Sequence, residues 1–248
     1  MGSDQKRFLV TDVNARSPFT EAFRTLRTNI DFAGLDNPYR AILMTSAGPG
    51  DGKSTNVANL GVVMAQAGKK VLIMDCDLRR PTQHKIFHTD DLMGLTSVLV
   101  NDMDPSEVAQ ETKVPGLYLL PSGPIPPNPA ELVGSQRMST VISRAKEHFD
   151  CVLVDSPPIL MVTDATLLST VVDGVVLVLK RGSTRIDAAK DAQDKLDKVG
   201  AKILGVILNK VDMTGDDYYY QYYSYYHQGK AEKTKKKKSG SKVAFSQV

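Results

Sequence analysis

The sequence predicts an α/β fold: a doubly wound, mainly parallel sheet flanked by helices. Three observations lead there. Six short runs, Ala41–Thr45, Val71–Met74, Leu117–Leu120, Cys151–Val154, Val175–Leu179 and Ile203–Leu208, are apolar at almost every position, as strands covered on both faces are. Amphipathic stretches of helical length separate most of them, the usual way of joining parallel strands. With 248 residues and 42% hydrophobic content, the chain can bury one large core, so a single domain with tails is expected.

Taken in order, Ser17-Pro18 opens a first helix in which Phe23, Leu26 and Ile30 share one side. Glu21, Arg24 and Arg27, stepped by three, form a charged stripe beside and behind that side and are expected to point outward. The first apolar run leads into a glycine-rich loop and a helix over Ser54–Gln66 that Gly68 stops. The second run delivers Asp75. After the third, Pro124, Pro126, Pro127 and Pro129 mark a rigid loop, and Asn128 with Pro129 starts a helix expected over Pro129–His148. The fourth run delivers Asp155. Helices over Asp164–Val171 and Thr184–Val199, the latter stopped by Gly200, bracket the fifth run, and the sixth ends at Asn209. The expected organisation is an N-terminal extension at 1–16, the α/β domain at 17–213, a tyrosine cluster at 214–228 and a basic, flexible tail at 229–248.

Composition narrows the class. No stretch approaches the roughly 18 uninterrupted apolar residues of a membrane span, and the start MGSDQKRF lacks the apolar segment of a secretory signal. Lys6 stands where a myristoylation motif wants Ser or Thr. Cys76 and Cys151 sit in apolar runs without metal-ligand spacing, as buried thiols of a cytoplasmic protein do. The formal charge of +3 conceals an asymmetry: between 230 and 242, seven lysines against Glu232 give +6, so the rest of the chain carries −3.

The strand ending at Thr45-Ser46 runs into AGPGDGKST, residues 47 to 55, and then a helix. This is the strand–loop–helix setting of a P-loop. Gly48, Gly50 and Gly52, with Pro49 and Asp51 between them, let backbone N–H groups curl around an anion. The helix start adds positive field, and Lys53 can reach the terminal phosphates of ATP. Ser54 would bind Mg²⁺, and Thr55 completes the motif; Ala47 replaces the usual first glycine. Asp75, Asp77 and Arg79 project to one side if the chain stays extended, so that they could converge on one metal–phosphate group. Asp155 ends an apolar strand as a second Mg²⁺ partner would. Asn209 suits hydrogen bonding to a base edge, and equally suits a turn.

Seven of nine tyrosines, Tyr218, Tyr219, Tyr220, Tyr222, Tyr223, Tyr225 and Tyr226, fall within nine residues. The run has neither strand nor helix periodicity, leaving a sticky low-complexity tract or a set of hydroxyls presented for modification. Each phosphate would add about −1.5 to −2 charges, roughly −10 over most of the cluster, enough to overturn the charge balance of the chain. The lysine run Lys235 to Lys238 could fold back on such phosphates, hold the tail at an anionic membrane, or simply be solvated.

Together these residues resemble the bacterial tyrosine kinases of the CpsD/CapB type, P-loop proteins of MinD/ParA-like fold. The resemblance covers about 17 to 226. It rests on AGPGDGKS as Walker A, VLIMDCDLR as the Walker A′ of these kinases, VLVDSPP as Walker B, EAFRTLR as the Glu-x-x-Arg-x-x-Arg oligomerisation motif, and the tyrosine cluster. It implies ATP and Mg²⁺ as cofactors and autophosphorylation of the cluster in trans within a homo-oligomeric ring. It further implies a transmembrane co-polymerase-type activator that brings the cytoplasmic kinase to the membrane, a tyrosine phosphatase as candidate partner, and a role in capsule or exopolysaccharide synthesis. Carried over by position, Lys53 lies on the phosphates with Arg79 nearby, Ser54, Asp77 and Asp155 on Mg²⁺, and Asp75 is the base. Glu21, Arg24 and Arg27 become subunit contacts.

Two other readings compete. A MinD- or ParA-like regulatory ATPase would carry a second lysine early in the loop, where this chain has Gly48. A non-catalytic scaffold would use its aromatic and basic tail for single-stranded nucleic acid, but here tyrosines and lysines form adjacent blocks, so no specific nucleic acid is expected.

Overall fold

The computed structural model describes residues 9–11 and 17–211. The tyrosine cluster and the lysine tail lie outside the described residues. A compact unit closes at Lys210.

Helix α1 (Pro18–Ala33) starts as expected, with the Ser17 hydroxyl accepting the Thr20 amide at 3.1 Å. There follow β1 (Ala41–Ser46), α2 (Lys53–Gln66), β2 (Val71–Asp75), α3 (Gln83–Phe87), α4 (Leu95–Asn101) and α5 (Pro105–Val108). Then come β3 (Gln110–Glu111), β4 (Leu117–Leu120), α6 (Pro129–Val133), α7 (Gln136–His148), β5 (Cys151–Asp155), α8 (Asp164–Ser169), β6 (Gly174–Lys180), α9 (Ile186–Asp197) and β7 (Ile203–Asn209). The sheet order is β3-β4-β2-β5-β1-β6-β7, parallel except where the two-residue β3 pairs antiparallel with β4. All six apolar runs are strands, each within a residue of its expected ends.

Alternation along the strands divides the core into two layers. Ile42, Met44, Ile73, Leu153 and Val176 pack under α1 and α2, whereas Leu43, Leu72, Met74, Val154 and Val175 pack under α4, α7, α8 and α9. Strands with both faces covered need apolar residues at every position, which is why the runs are unbroken. β7 departs from that expectation. It is the edge strand, and Val206 and Leu208 are 57% and 55% exposed despite its uniformly apolar sequence.

The single helix expected over Pro129–His148 is two. Gly134 ends α6, and Ser135 is extended at φ −76°, ψ 156° before α7 begins. A side chain on Gly134 would press on the Ala130 carbonyl and Leu167, so the break lets α6 fold against α8. Asn128 does stand at the N-cap position, but its side chain donates to Glu131 at 2.6 Å and caps no amide. α8 and α9 are shorter than expected by two residues at one or both ends. The short α3, α4, α5 and β3 carry no periodicity long enough to be read from sequence.

Far from the glycine-rich loop, Asp173 fastens β1 to the loop before β6. It accepts the Arg40 and Ala41 amides at 2.8 and 2.7 Å and pairs with Lys146 at 2.7 Å. Burial pushes its carboxyl up, but the Lys146 hydrogen bond and the two amides outweigh this and hold it below the usual carboxylate range. A depressed native pKa contributes stability that is present above the unfolded value and lost as pH falls through the native one. Asp173→Ala is therefore expected to cost about 1–3 kcal/mol near neutrality. Urea unfolding of variant and parent should differ fully above the ordinary carboxylate value of about 4 and converge only as the pH falls on through the lower native one.

Candidate active site

The loop between β1 and α2 is shaped by its own residues. Gly50 and Gly52 have φ of 78° and 100°, a region L side chains avoid, and a Cβ on Gly52 would sit 2.0 Å from Asn209 Nδ2. Buried Asp51 accepts the Gly48 amide at 2.9 Å and the Thr184 hydroxyl at 3.1 Å, and its carbonyl accepts Asn209 Nδ2 at 2.7 Å. Asp51 and Asn209, expected to face nucleotide, thus tie the loop to the sheet edge. Pro49 and Gly50 are exposed at its crest, Ser54 and Thr55 open α2, and Ala47 is buried in the core, where a methyl fits in place of the usual glycine hydrogen.

Parallel pairing places Asp75 directly opposite Asp155 at the carboxyl ends of β2 and β5. Both are fully buried. Lys53 Nζ lies 3.0 Å from Asp77 Oδ2, 3.3 Å from Asp155 Oδ1 and 3.1 Å from Ser54 Oγ. Burial alone would pull the Lys53 ammonium down, but Asp155, then Asp77 and Asp75, hold it above its ordinary value. Asp75 is pushed up to about 7, first by burial and then by the charge of Asp155.

The expected convergence of Asp75, Asp77 and Arg79 does not form as an extended segment. β2 ends at Asp75 and the chain turns at Leu78 and Arg79, so side-chain alternation stops. Both Asp75 oxygens accept backbone amides, Oδ1 from Asp77 at 3.2 Å and Oδ2 from Thr82 and Gln83 at 3.0 and 2.9 Å. Arg79 reaches Asp164 at the start of α8 through two bonds, 3.0 and 3.2 Å, to a carboxylate with no exposure. Asp77 alone of the three stands against Lys53.

Gln83 is the residue that sequence reasoning missed. Buried completely at the start of α3, its amide donates to Asp155 Oδ2 at 2.7 Å and to the Ser54 carbonyl at 3.0 Å. No motif signals it, because its place depends on the turn after β2. The charged stripe of α1 is half-buried and does not simply point outward: Glu21 pairs with Arg24, and Arg27 donates to the Val63 carbonyl of α2 at 3.2 Å.

Ser54, Asp77 and Asp155 are hard oxygen donors and fit Mg²⁺. Among the described residues no cluster of three or more His, Cys, Asp or Glu forms a metal cage, so such an ion would take its other ligands from phosphate and water. A phosphate-binding loop at a strand–helix junction, with carboxylates at adjacent strand ends, defines a nucleotide-binding protein of the P-loop class.

Comparisons with known proteins specify the family. A family model described as an AAA domain matches residues 39–202. Tyrosine-protein kinase YwqD of Bacillus subtilis (strain 168) is 45% identical over 208 residues, 84% of this chain and 88% of that protein. Tyrosine-protein kinase CpsD of Streptococcus agalactiae is 39% identical over 193 residues, 77% of this chain and 83% of that protein. The crystal structure of the chimerical protein CapA2B2 superposes with a TM-score of 0.78 at 41% identity, covering 82% of this chain and 89% of that one. More distantly, the septum site-determining protein MinD from Pyrococcus horikoshii OT3, complexed with Mg-ADP, matches at 27% identity and a TM-score of 0.60, over 73% of this chain and 72% of that one. The chain belongs to the bacterial tyrosine-protein kinases.

Replacing Gln83 by Leu would leave a buried Asp155 oxygen and the Ser54 carbonyl without these donors. Gln83→Leu is expected to lose about 2–3 kcal/mol of stability and to weaken nucleotide affinity, measured by denaturant unfolding and by titration with a fluorescent ATP analogue. A variant that binds nucleotide as the parent does would remove Gln83 from the site.

Proposed function

We propose that this kinase transfers the γ-phosphoryl group of ATP to tyrosines 218–226 of a neighbouring copy within a homo-oligomer, and so regulates capsular or exopolysaccharide synthesis. The observation that carries the reading is the juxtaposition of Lys53, Ser54, Asp77 and Asp155 at the mouth of a phosphate-binding loop. The tyrosine cluster of the same chain supplies the acceptors. Family membership supports the reaction class, and the MinD complex with Mg-ADP supports nucleotide and metal.

The loop amides and Lys53 hold the phosphates in line with an incoming phenol. Ser54 and Asp155 would hold Mg²⁺, which when bound would neutralise charge on the phosphoryl group. Gln83 keeps Asp155 turned toward that position. The tyrosine oxygen forms the new P–O bond, the bond to the bridging oxygen of ADP breaks, and the phenol proton passes to a carboxylate. Asp77 takes that proton in preference to Asp75, because Asp77 keeps some exposure beside Lys53 whereas Asp75 has none and its oxygens accept three backbone amides. Loose phosphoryl transfer needs little prior deprotonation, so positioning outweighs base strength.

Asn209 keeps the base end of the site in order by holding Asp51, beside a groove of about 370 Å³ lined by Lys180, Arg181, Thr184 and Leu208. Glu21, Arg24 and Arg27 form the subunit contact through their exposed edges. A transmembrane co-polymerase-type protein activates the kinase at the membrane, and a phosphatase reverses the modification. Among the described residues no helix is long and apolar enough to cross a membrane. Phosphorylated tails, bearing several added charges each, leave the neighbouring site by repulsion and loosen the oligomer.

Purified chain incubated with γ-labelled ATP is expected to carry alkali-stable label on the 218–226 peptide. Lys53→Met should reduce it at least 100-fold, on the order of losing one transition-state contact or more, and replacing the seven tyrosines by Phe should abolish it. Free phosphate without protein label would instead identify a MinD- or ParA-like ATPase; neither product would identify a scaffold. Size exclusion before and after labelling tests the switch, which an unchanged oligomer at complete modification would refute.

A further inference from the structure

Beside the loop, on the β2–β4 side of the sheet, lies a cleft of about 590 Å³ lined by Arg79, Arg80, Thr82, His84, Lys85 and the Gly123–Ile125 segment. It adjoins the catalytic carboxylates directly, because the Arg80 amide donates to Asp77 Oδ1 at 3.0 Å and the Thr82 amide to Asp75 Oδ2 at 3.0 Å. Its cationic side chains differ in how they are engaged. Arg79 is held by Asp164, but Arg80 and Lys85 are exposed, and among the described residues neither forms an ion pair. The one acid in the lining, Asp91, accepts the Gly123 amide at 2.8 Å and the Ser122 hydroxyl at 3.2 Å, which fixes the opposite wall. The cleft is therefore a positive surface joined by two backbone hydrogen bonds to the carboxylates beside the phosphate loop.

Resting on the trans reaction proposed above, we infer that this cleft is an acceptor subsite that receives the acidic pair Asp216-Asp217, immediately ahead of the tyrosines, from a second copy of the chain. Charge complementarity selects the occupant: in residues 211–226 the only charged side chains are Asp212, Asp216 and Asp217. Chain reach selects the second copy. From β7 to β2 the sheet order interposes four strand spacings, about 19 Å, and the cleft lies beyond β2. The seven residues from Lys210 to Asp217 span at most about 23–25 Å fully extended, which leaves little slack for a path around the phosphate loop and on to the cleft. A neighbour's tail has no such restriction. With Asp217 seated at Arg80 and Lys85, Tyr218 and Tyr219 lie within one or two residues of Asp77. The cleft thus determines which tyrosines are modified first: those at the acidic end of the cluster.

The test uses two full-length chains. The donor carries Phe at all seven cluster tyrosines, with Arg80 and Lys85 either intact or as Arg80→Glu/Lys85→Glu. The acceptor carries Lys53→Met, with its acidic pair either intact or as Asp216→Lys/Asp217→Lys. Charge reversal on the donor alone is expected to lower acceptor phosphorylation about tenfold, through KM for the acceptor, as loss of complementary charge at a half-exposed surface does. Affinity for a fluorescent ATP analogue should stay at the parent value, which also reports intact folding. Reversal on both chains should restore most of the rate. Equal rates with all four pairings would overturn the subsite. A defect that appears only after the acceptor already carries phosphate would also overturn it, assigning the cleft to phosphotyrosine instead. No transfer by the unreversed pair would sink the trans-kinase reading itself, a result distinct from either.

Discussion

The arrangement that the rest of the structure depends on is a buried like-charge pair neutralised by one lysine. Parallel register sets Asp75 opposite Asp155 where water does not reach, and carboxylates this close disfavour each other's ionisation. Lys53 and the amides at the start of α3 offset that repulsion. An unpaired buried charge costs several kcal/mol, so the turn after β2, the start of α3 and the pitch of α2 must all form together. The groups of the candidate site are consequently held by the same contacts that close the core.

This dependence explains what could be read along the chain and what could not. Strands covered on both faces announce themselves as unbroken apolar runs, and the loop at 47–55 announces itself through its glycines, two of which, Gly50 and Gly52, no side chain could replace without strain. Lys53, Ser54, Asp77 and Asp155 meet where their motif positions predicted. The errors lie where a residue's partner is remote. Alternation was extended past Asp75 because nothing local reveals that its carboxylate will cap the following turn. Arg79 is drawn away by Asp164, 85 positions downstream. Gln83 acquires its role from Asp155, 72 positions away. The break at Gly134 lies inside a segment whose periodicity suits one helix; only the packing of α6 on α8 requires two.

Asp51 and Asn209 show how a binding motif can be right in outline and differ in detail. Both belong to the loop's surroundings, yet their side chains point into the protein's own hydrogen bonds. Gly52 is obligatory for two reasons at once, its positive φ and the amide of Asn209 where a Cβ would stand. The last strand is thereby coupled to the phosphate site. The tyrosine cluster follows Asn209 in sequence, so the element that steadies the loop is also the last strand before the cluster.

That departure point bears on why the reaction should pass between copies. Strand order puts β7 at one edge of the sheet and the basic cleft near the other, so the strand that the tyrosine cluster follows in sequence is separated from the cleft by most of the width of the sheet. Under the proposed trans reaction, that separation works against docking of a chain's own acidic pair in its own cleft and leaves a neighbour's pair free to enter. Charge then gives direction. In the proposed switch the acidic pair is attracted to the cleft before modification, and afterwards the added phosphates meet Asp77, Asp155 and the nucleotide, all negative. Attraction at the cleft and repulsion at the carboxylates act on the same few residues of tail, so the balance between them changes sign as phosphates accumulate. The proposed oligomer would need no separate timer: the product's own charge would end the association that made it.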